Sequence, residues 1–324
     1  MRGKVWLGVA VSALLLWVAV RGVSLDEVLH EIRQVRPAWL LPVIASIFLR
    51  FWLTAIRWQL LLRPVKLIGV HRLFAITMIG FMANNVLPAR LGEFVRAYAL
   101  GRLEVLPPSL PFATIVIERI FDGFTLLVFL VGGLSFLQPS RTLLWAAGLT
   151  CALYLGVLGG LVALRTGRGR GFLTGMLDRL PDRLAGPAGH LLESFRTGLD
   201  VLGDARGLLL TALMSIAIWL VNAAGVEATF RAFALDLPPY AAFLLLGTIA
   251  VALVLPSAPG YIGPFQAGTV QGLALVGVAR ETALSLSIVY HLVNYIPITV
   301  VGLAYLSVLN LTLGELRTAG GKRA

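Results

Sequence analysis

NNVLPARLGEFVRAYALGR, residues 84–102, lies between long apolar runs, yet it carries Arg90, Glu93 and Arg96 beside two asparagines, a proline and a glycine. A continuous membrane-crossing helix has no use for such punctuation. A helix that breaks inside the bilayer does, because the break frees backbone groups that need polar partners or a covered cavity. The stretch therefore reads as the turning point of a broken segment over 70–100.

The surrounding composition makes the bilayer the relevant solvent. Of 324 residues, 58% are hydrophobic and only 13% charged, with a mean hydropathy of +0.88. A water-soluble domain cannot hide that much apolar surface. The net charge of +11 fits arginines that face the cytoplasm and its anionic lipids. No basic, aromatic-interleaved module points to nucleic acid. Cys151 is the single cysteine, which excludes a disulfide framework and a cysteine metal site. The run after Arg2 and Lys4 resembles a signal peptide but lacks a small-residue cleavage site, so it reads as a retained first helix.

About 20 apolar residues cross a bilayer. Residues 5–20, 38–62, 109–137, 142–164, 207–231 and 282–309 meet that length, and 70–100 and 240–278 are apolar but broken by Pro and Gly. The expectation is an all-α polytopic protein of about six to eight transmembrane helices, with one or two re-entrant hairpins, in one integral-membrane domain over 1–314. The arginine-rich connection 165–206, the N-terminus and the tail 315–324 should be cytoplasmic. That requires 70–100 to enter and return on one side. For 240–278 a re-entrant path and two crossings satisfy the charge rule equally. Residues 22–37 have helical spacing and suit the outer interface.

The two broken segments share V-L-P-x-x-x-G, at Val86–Gly92 and Val254–Gly260. Each follows one long span and precedes another, the layout of an inverted repeat whose interrupted helices meet near the midplane. Pro88 and Pro264 suit the first position of the helix that follows each break, and Pro256 and Pro259 punctuate the second. A helix N-terminus offers free N–H groups to an anion such as a phosphate.

Other charges inside apolar runs support a polar interior. Glu118 and Asp122 share a helix face beside Arg119, and Arg50 and Arg57 share another. Asn222, Glu227 and Arg231 occur in one further span, and His291, Asn294 and Tyr295 in the last. Arg57 and Arg231, near span ends, either snorkel or face inward. Glu118, Arg119 and Asp122 form either an ion-paired knot with Arg90 or Arg96 or part of a site. Arg90, Glu93 and Arg96 are the expected phosphate-gripping group, since arginine pairs bidentately with phosphate. There is no phosphate-binding loop, no H-E-x-x-H and no G-x-S-x-G. Neither a cofactor, a metal nor a catalytic residue is expected.

NNVLPARLGEFVRAYAL, ERIFDGFTLL and PSAPGYIGPFQ, in this order, resemble the flippase-like family, the transmembrane region of bacterial lysylphosphatidylglycerol synthases and its free-standing relatives. The resemblance spans about residue 5 to 310. It implies that Asn85, Pro88, Arg90, Gly92, Glu93 and Arg96 form a first motif, Glu118, Arg119 and Asp122 a second, and Pro259, Gly260 and Gly263 a third. It also implies the membrane half of such synthases alone, since 324 residues leave no room for an aminoacyl-transfer domain. The expected function is movement of an anionic or zwitterionic phospholipid, or a lipid-linked precursor, between leaflets of the cytoplasmic membrane. A separate lipid-modifying enzyme would be a partner. An integral-membrane enzyme acting on a lipid headgroup and a non-transporting scaffold are the alternatives.

Overall fold

The computed structural model describes residues 2–87, 91–137, 205–255, 257–312 and 314–315, with a few isolated positions between 148 and 181. The expected span 142–164, Cys151, Pro88, Arg90, Pro256, and nearly all of the 165–206 connection and the tail lie outside these residues. Every regular element described is helical.

α1 (Arg2–Val20) turns into the short amphipathic α2 (Leu25–Arg33), which Ser24 caps by accepting from the Glu27 N–H at 3.4 Å. The two are bent by 82°. α2 buries Val28 and leaves Leu25 and Leu29 exposed, the pattern of a helix lying along an interface.

Two sets of four helices follow, with the same order of lengths. The first is α3 (Leu40–Leu62), α4 (Val70–Val86), α5 (Gly92–Glu104) and α6 (Ser109–Leu134). The second is α7 (Ala205–Ala232), α8 (Tyr240–Ala252), α9 (Pro264–Ala274) and α10 (Arg280–Val308). Within each set the first helix packs on the second and fourth, the second on the third, and the third on the fourth. Between sets, α3 packs on α7, α4 on α10, α8 on α6, α3 on α10 and α7 on α6. Exchanging one set for the other leaves this pattern unchanged.

The paired helices run antiparallel. Ser46 meets Gly225, where an added Cβ would fall 2.2 Å from the serine hydroxyl, while Arg57, further along α3, reaches Ser215, earlier in α7. On α4 and α10, His71 and Phe74 face Tyr305, and Asn85 faces Tyr295 and Thr299. Phe129 of α6 meets Phe243 of α8 edge to face, and Phe136, just past the end of α6, stacks on Tyr240 at the start of α8.

Each short pair is a hairpin. In the first, the return is pinned at its open end: Lys66 and Arg72 bridge to Glu104 at 2.8 and 2.9 Å, and Arg72 also donates to the Leu103 carbonyl. Near its tip, an added Cβ on Gly92 would sit 2.2 Å from the Gly80 carbonyl. In the second, Gly268 and Gly272 give α9 close contact with Ile249, Thr248 and Leu245 of α8.

Pro37–Leu62, Arg206–Ala232 and Arg280–Val308 are long and apolar enough to cross a membrane, and the bent α1–α2 pair adds a fourth if it counts as one span. α6 has 26 residues, about 39 Å at 1.5 Å per residue. Glu118, Arg119 and Asp122 at its centre make it more polar than these spans. The described residues thus give three or four clear spans, fewer than the six to eight that hydropathy suggests. Outward stripes support membrane contact. Leu209, Leu213, Ile216 and Leu220 on α7, and Leu292, Ile296, Val300 and Leu303 on α10, are exposed at helical spacing.

Candidate functional site

The first break is built from the two asparagines of the opening stretch. α4 ends at Val86, and the next residue, Leu87, is already extended. The next described helix begins at Gly92, four residues after Pro88, so its first turn contains Gly92 and Glu93. Asn84 accepts a 2.7 Å hydrogen bond from the Gly92 N–H, satisfying a donor that a helix start leaves open. Asn85 turns to the other side, donating to Thr299 Oγ1 at 2.9 Å and to the Tyr295 carbonyl.

Beneath this break lies a buried ion network. Arg57 grips Asp122 with both terminal nitrogens, at 2.6 and 3.1 Å, and donates to Ser215 Oγ. Trp219 adds a third donor to Asp122 at 3.1 Å. Arg96 donates to Glu118 at 3.0 Å and lies over the Trp58 ring, 4.2 Å from its centroid. Trp58 is fixed in turn by its hydrogen bond to Thr114. Arg57 Nε stands 3.9 Å from Glu118 Oε1, which joins the two pairs. Two arginines and two carboxylates balance. Each is desolvated, so removing any one leaves an uncompensated charge.

The second break carries no charge and is shaped by backbone. Gly260 and Gly263 adopt φ of +72° and +96°, a region that a Cβ disfavours. Pro264 is the first residue of α9, where its missing N–H leaves nothing unpaired. Gln266 Oε1 accepts from the Gly263 N–H at 2.8 Å, and its Nε2 meets His291 Nδ1 at 2.9 Å. Since Oε1 faces an N–H, Nε2 must donate, which makes Nδ1 the acceptor of a neutral imidazole. α1 covers the break from outside. Ser12 Oγ accepts from the Ala258 N–H, and a Cβ on Gly263 would strike the Ser12 carbonyl at 2.3 Å. Pro259 opens a single 3-10 turn, Pro259–Tyr261.

The two breaks touch. Tyr295 donates its hydroxyl to the Asn85 carbonyl, and a Cβ on Gly260 would lie 2.8 Å from the Tyr295 ring and 3.5 Å from that same carbonyl.

Beside this junction is a cavity of about 660 Å³, with walls from both helix sets. Arg50, Arg119, Asp122, Asn85 and Asn222 supply polar groups, Trp219, Phe265, Tyr290 and Tyr295 supply rings, and leucines of α6 and α8 make an apolar side. Val251 and Val254 line it while 60% and 80% exposed, which marks its mouth. Arg50 and Arg119 each keep a buried Nε with no partner. Arg50 lies over Phe51 at 4.4 Å, and Arg119 reaches Asp122 only at 4.0 Å.

Of the residues expected at the substrate site, Asn85, Arg119 and Asp122 reach the cavity wall, and Arg50, Asn222, His291, Asn294 and Tyr295, read from sequence as polar interior groups, line it too. Arg96 and Glu118 sit in the ion network behind it, at 1% and 0% exposure. Gly260 and Gly263 shape the second break, Glu93 is half-buried in the first turn of α5, and Arg90 lies outside the described residues. Arg50, Trp219 and Tyr290 line the cavity without having been assigned to a site. For Arg50 the signal was present in its place within an apolar run, seven residues before Arg57. No group of three His, Cys, Asp or Glu capable of holding a metal occurs among the described residues.

A helical membrane protein with a largely apolar internal cavity that carries a few charged groups is the class these features define. The chain belongs to the family described as the lysylphosphatidylglycerol synthase TM region, whose model matches residues 5–302. It is 24% identical to a UPF0104 membrane protein of Methanothermobacter thermautotrophicus, over 94% of each chain. It is 27% identical to the glycosyltransferase AglD of Haloferax volcanii, over 94% of this chain but 54% of AglD. A second UPF0104 membrane protein of M. thermautotrophicus is 23% identical, with 81% of this chain and 80% of that one aligned.

Proposed function

We propose that the chain moves an anionic or zwitterionic phospholipid, or a lipid-linked precursor, between the leaflets of the cytoplasmic membrane. The observation that carries this reading is the cavity: two arginines whose buried Nε lacks a partner, a lining that is otherwise largely apolar, and a mouth fringed by exposed valines. A lipid has the same division between headgroup and chains. The exchange symmetry supports an inverted repeat, because a two-fold axis relating antiparallel α3 and α7 is perpendicular to both and lies in the membrane plane. The hairpins then act as opposed half-gates, each entering from its own side.

Charge supports an orientation. Arg63, Lys66, Arg72 and Arg102 gather at the end of the bundle where α4 begins and α5 ends. This end, with the 165–206 connection and both termini, is cytoplasmic in our reading, and 1–314 forms one membrane domain. Asn85, Arg119 and Asp122 contact the headgroup. Arg90, Glu93, Arg96 and Glu118 hold or steer the first hairpin against it, and Gly260 and Gly263 shape the second. The chain itself performs no bond chemistry. The Haloferax relative, a glycosyltransferase by name, favours an enzymatic alternative.

One reconstitution separates the two. Purified protein in vesicles with labelled lipids should exchange label between leaflets while the lipid mass stays unchanged. A new lipid mass would favour the enzyme. Neither exchange nor a product would favour a scaffold.

A further inference from the structure

We infer that the cavity selects a phosphate ester bearing a neutral, hydroxyl-rich headgroup and rejects a cationic aminoacylated one. The inference rests on the reading of this cavity as the lipid site, and it concerns which headgroup enters.

Charge bookkeeping around the wall carries it. The buried network pairs Arg57 and Arg96 with Asp122 and Glu118, although Arg57 Nε, Arg96 Nε, one terminal nitrogen of Arg96 and Glu118 Oε1 keep no hydrogen-bond partner. Among the described residues Asp122 is the one carboxylate on the wall, and it already accepts from both terminal nitrogens of Arg57 and from Trp219. It has little capacity left for an incoming ammonium. Arg50 and Arg119 are the arginines among the described wall residues, and each retains an unpartnered buried Nε. Glu93 lies within electrostatic reach of Arg119 but is not on the wall. His291 is on the wall, with its Nδ1 accepting from Gln266, so it is neutral and offers no anionic counterpart. Two guanidinium groups in a low-dielectric recess suit a phosphate and repel an amine.

The rest of the polar lining suits hydroxyls. Asn222 accepts from the Tyr290 hydroxyl through Oδ1, which leaves its Nδ2 hydrogens for a ligand oxygen. Asn294 donates to the Tyr290 carbonyl, which leaves its Oδ1 to accept from a ligand hydroxyl. Trp219, Phe265 and Tyr290 add ring faces on which a sugar or glycerol can pack. Phosphatidylglycerol, phosphatidylinositol and a polyprenyl-phosphate hexose share this chemistry.

Binding and movement are measured separately. The full chain in detergent is titrated by native mass spectrometry with those three lipids and with lysyl-phosphatidylglycerol. The hydroxyl-bearing lipids should bind about tenfold or more tightly than the lysyl lipid. Their order among themselves identifies the source, glycerophospholipid or polyprenyl phosphate. R50E/R119E should reverse the preference toward the lysyl lipid. R50Q/R119Q should weaken anionic binding about tenfold or more at a small cost in melting midpoint, since Arg119 gives up a 4.0 Å contact to Asp122 and Arg50 its place over Phe51. Equal or tighter binding of the lysyl lipid by the wild type, or no binding of any of the four, overturns the inference. So does R50Q/R119Q binding with wild-type affinity. If the binding order holds but bound lipid never changes leaflet in vesicles, the inference stands and the transport reading falls.

Discussion

The two hairpins have one layout and opposite chemistry. The first, α4–α5, is locked by charge: Arg96 to Glu118 at its flank, Lys66 and Arg72 to Glu104 at its open end. Its helix start is capped by Asn84. The second, α8–α9, is held at its break by glycine conformations, one glutamine and a cover borrowed from α1. Buried ion pairs are costly to open, whereas neutral hydrogen bonds of about 0.5–1.5 kcal/mol each can be exchanged. We infer that, of the two half-gates, the first hairpin is the anchor and the second the one that moves.

The largest expected effect falls on the anchor. Glu118→Gln strands Arg96 of α5, and breaking one partner of a buried pair costs about 3–5 kcal/mol. It should lower the thermal midpoint of detergent-purified protein far more than Gln266→Leu, which removes neutral bonds at the second break. Equal losses would erase the distinction between the hairpins.

Glycine substitutions should come next. Gly92→Ala drives a methyl into the Gly80 carbonyl, and Gly263→Ala drives one into Ser12 while also straining a positive φ. Overpacking of this kind costs about 1–3 kcal/mol. The outcomes should differ in kind: Gly92→Ala loosens the anchored hairpin, whereas Gly263→Ala separates α1 from the second break. Cysteine accessibility at Ser12 should rise in the latter alone.

Asn84→Ala removes one helix-start acceptor and should cost about 1 kcal/mol, read as a modest fall in the thermal midpoint. The smallest effect concerns Glu315, whose hydrogen bond from Arg102 holds its carboxyl below the usual range. A depressed folded pKa stabilises above the unfolded value and is lost as pH falls through the folded one. Glu315→Gln should therefore alter stability slightly at neutral pH and not at all in acid, as seen in melting curves across pH.

Much of this comparison was legible in the sequence. Pro, Gly and Asn within apolar runs identified both breaks, because only a broken helix needs them there. Repeated V-L-P-x-x-x-G fixed which segments correspond. Partner choice was less legible. Arg96, Glu118, Arg57 and Asp122 come from four places along the chain, and spacing within one helix cannot say which charges pair across helices. Arg96 was expected in a phosphate-gripping group; it lies over Trp58 and donates to Glu118, the ion pairing that the sequence also allowed. Arg50 looked like its neighbour Arg57 in the sequence; the difference between a paired and an unpaired arginine is purely tertiary. Asn84 and Asn85 face opposite ways because successive helical residues point about 100° apart, which composition alone does not resolve.

The central claim is that the two breaks meet and must part for a lipid to pass. Leu87→Cys combined with Leu255→Cys, or a neighbouring pair across the breaks, in a Cys151→Ser background, tests it directly. A disulfide needs Cα atoms within about 7 Å. The account predicts that such a pair oxidises in folded protein, that leaflet exchange stops, and that reduction restores it. Cross-linked protein that moves lipid at the unlinked rate, or folded protein in which no pair across the breaks can be linked, would contradict it.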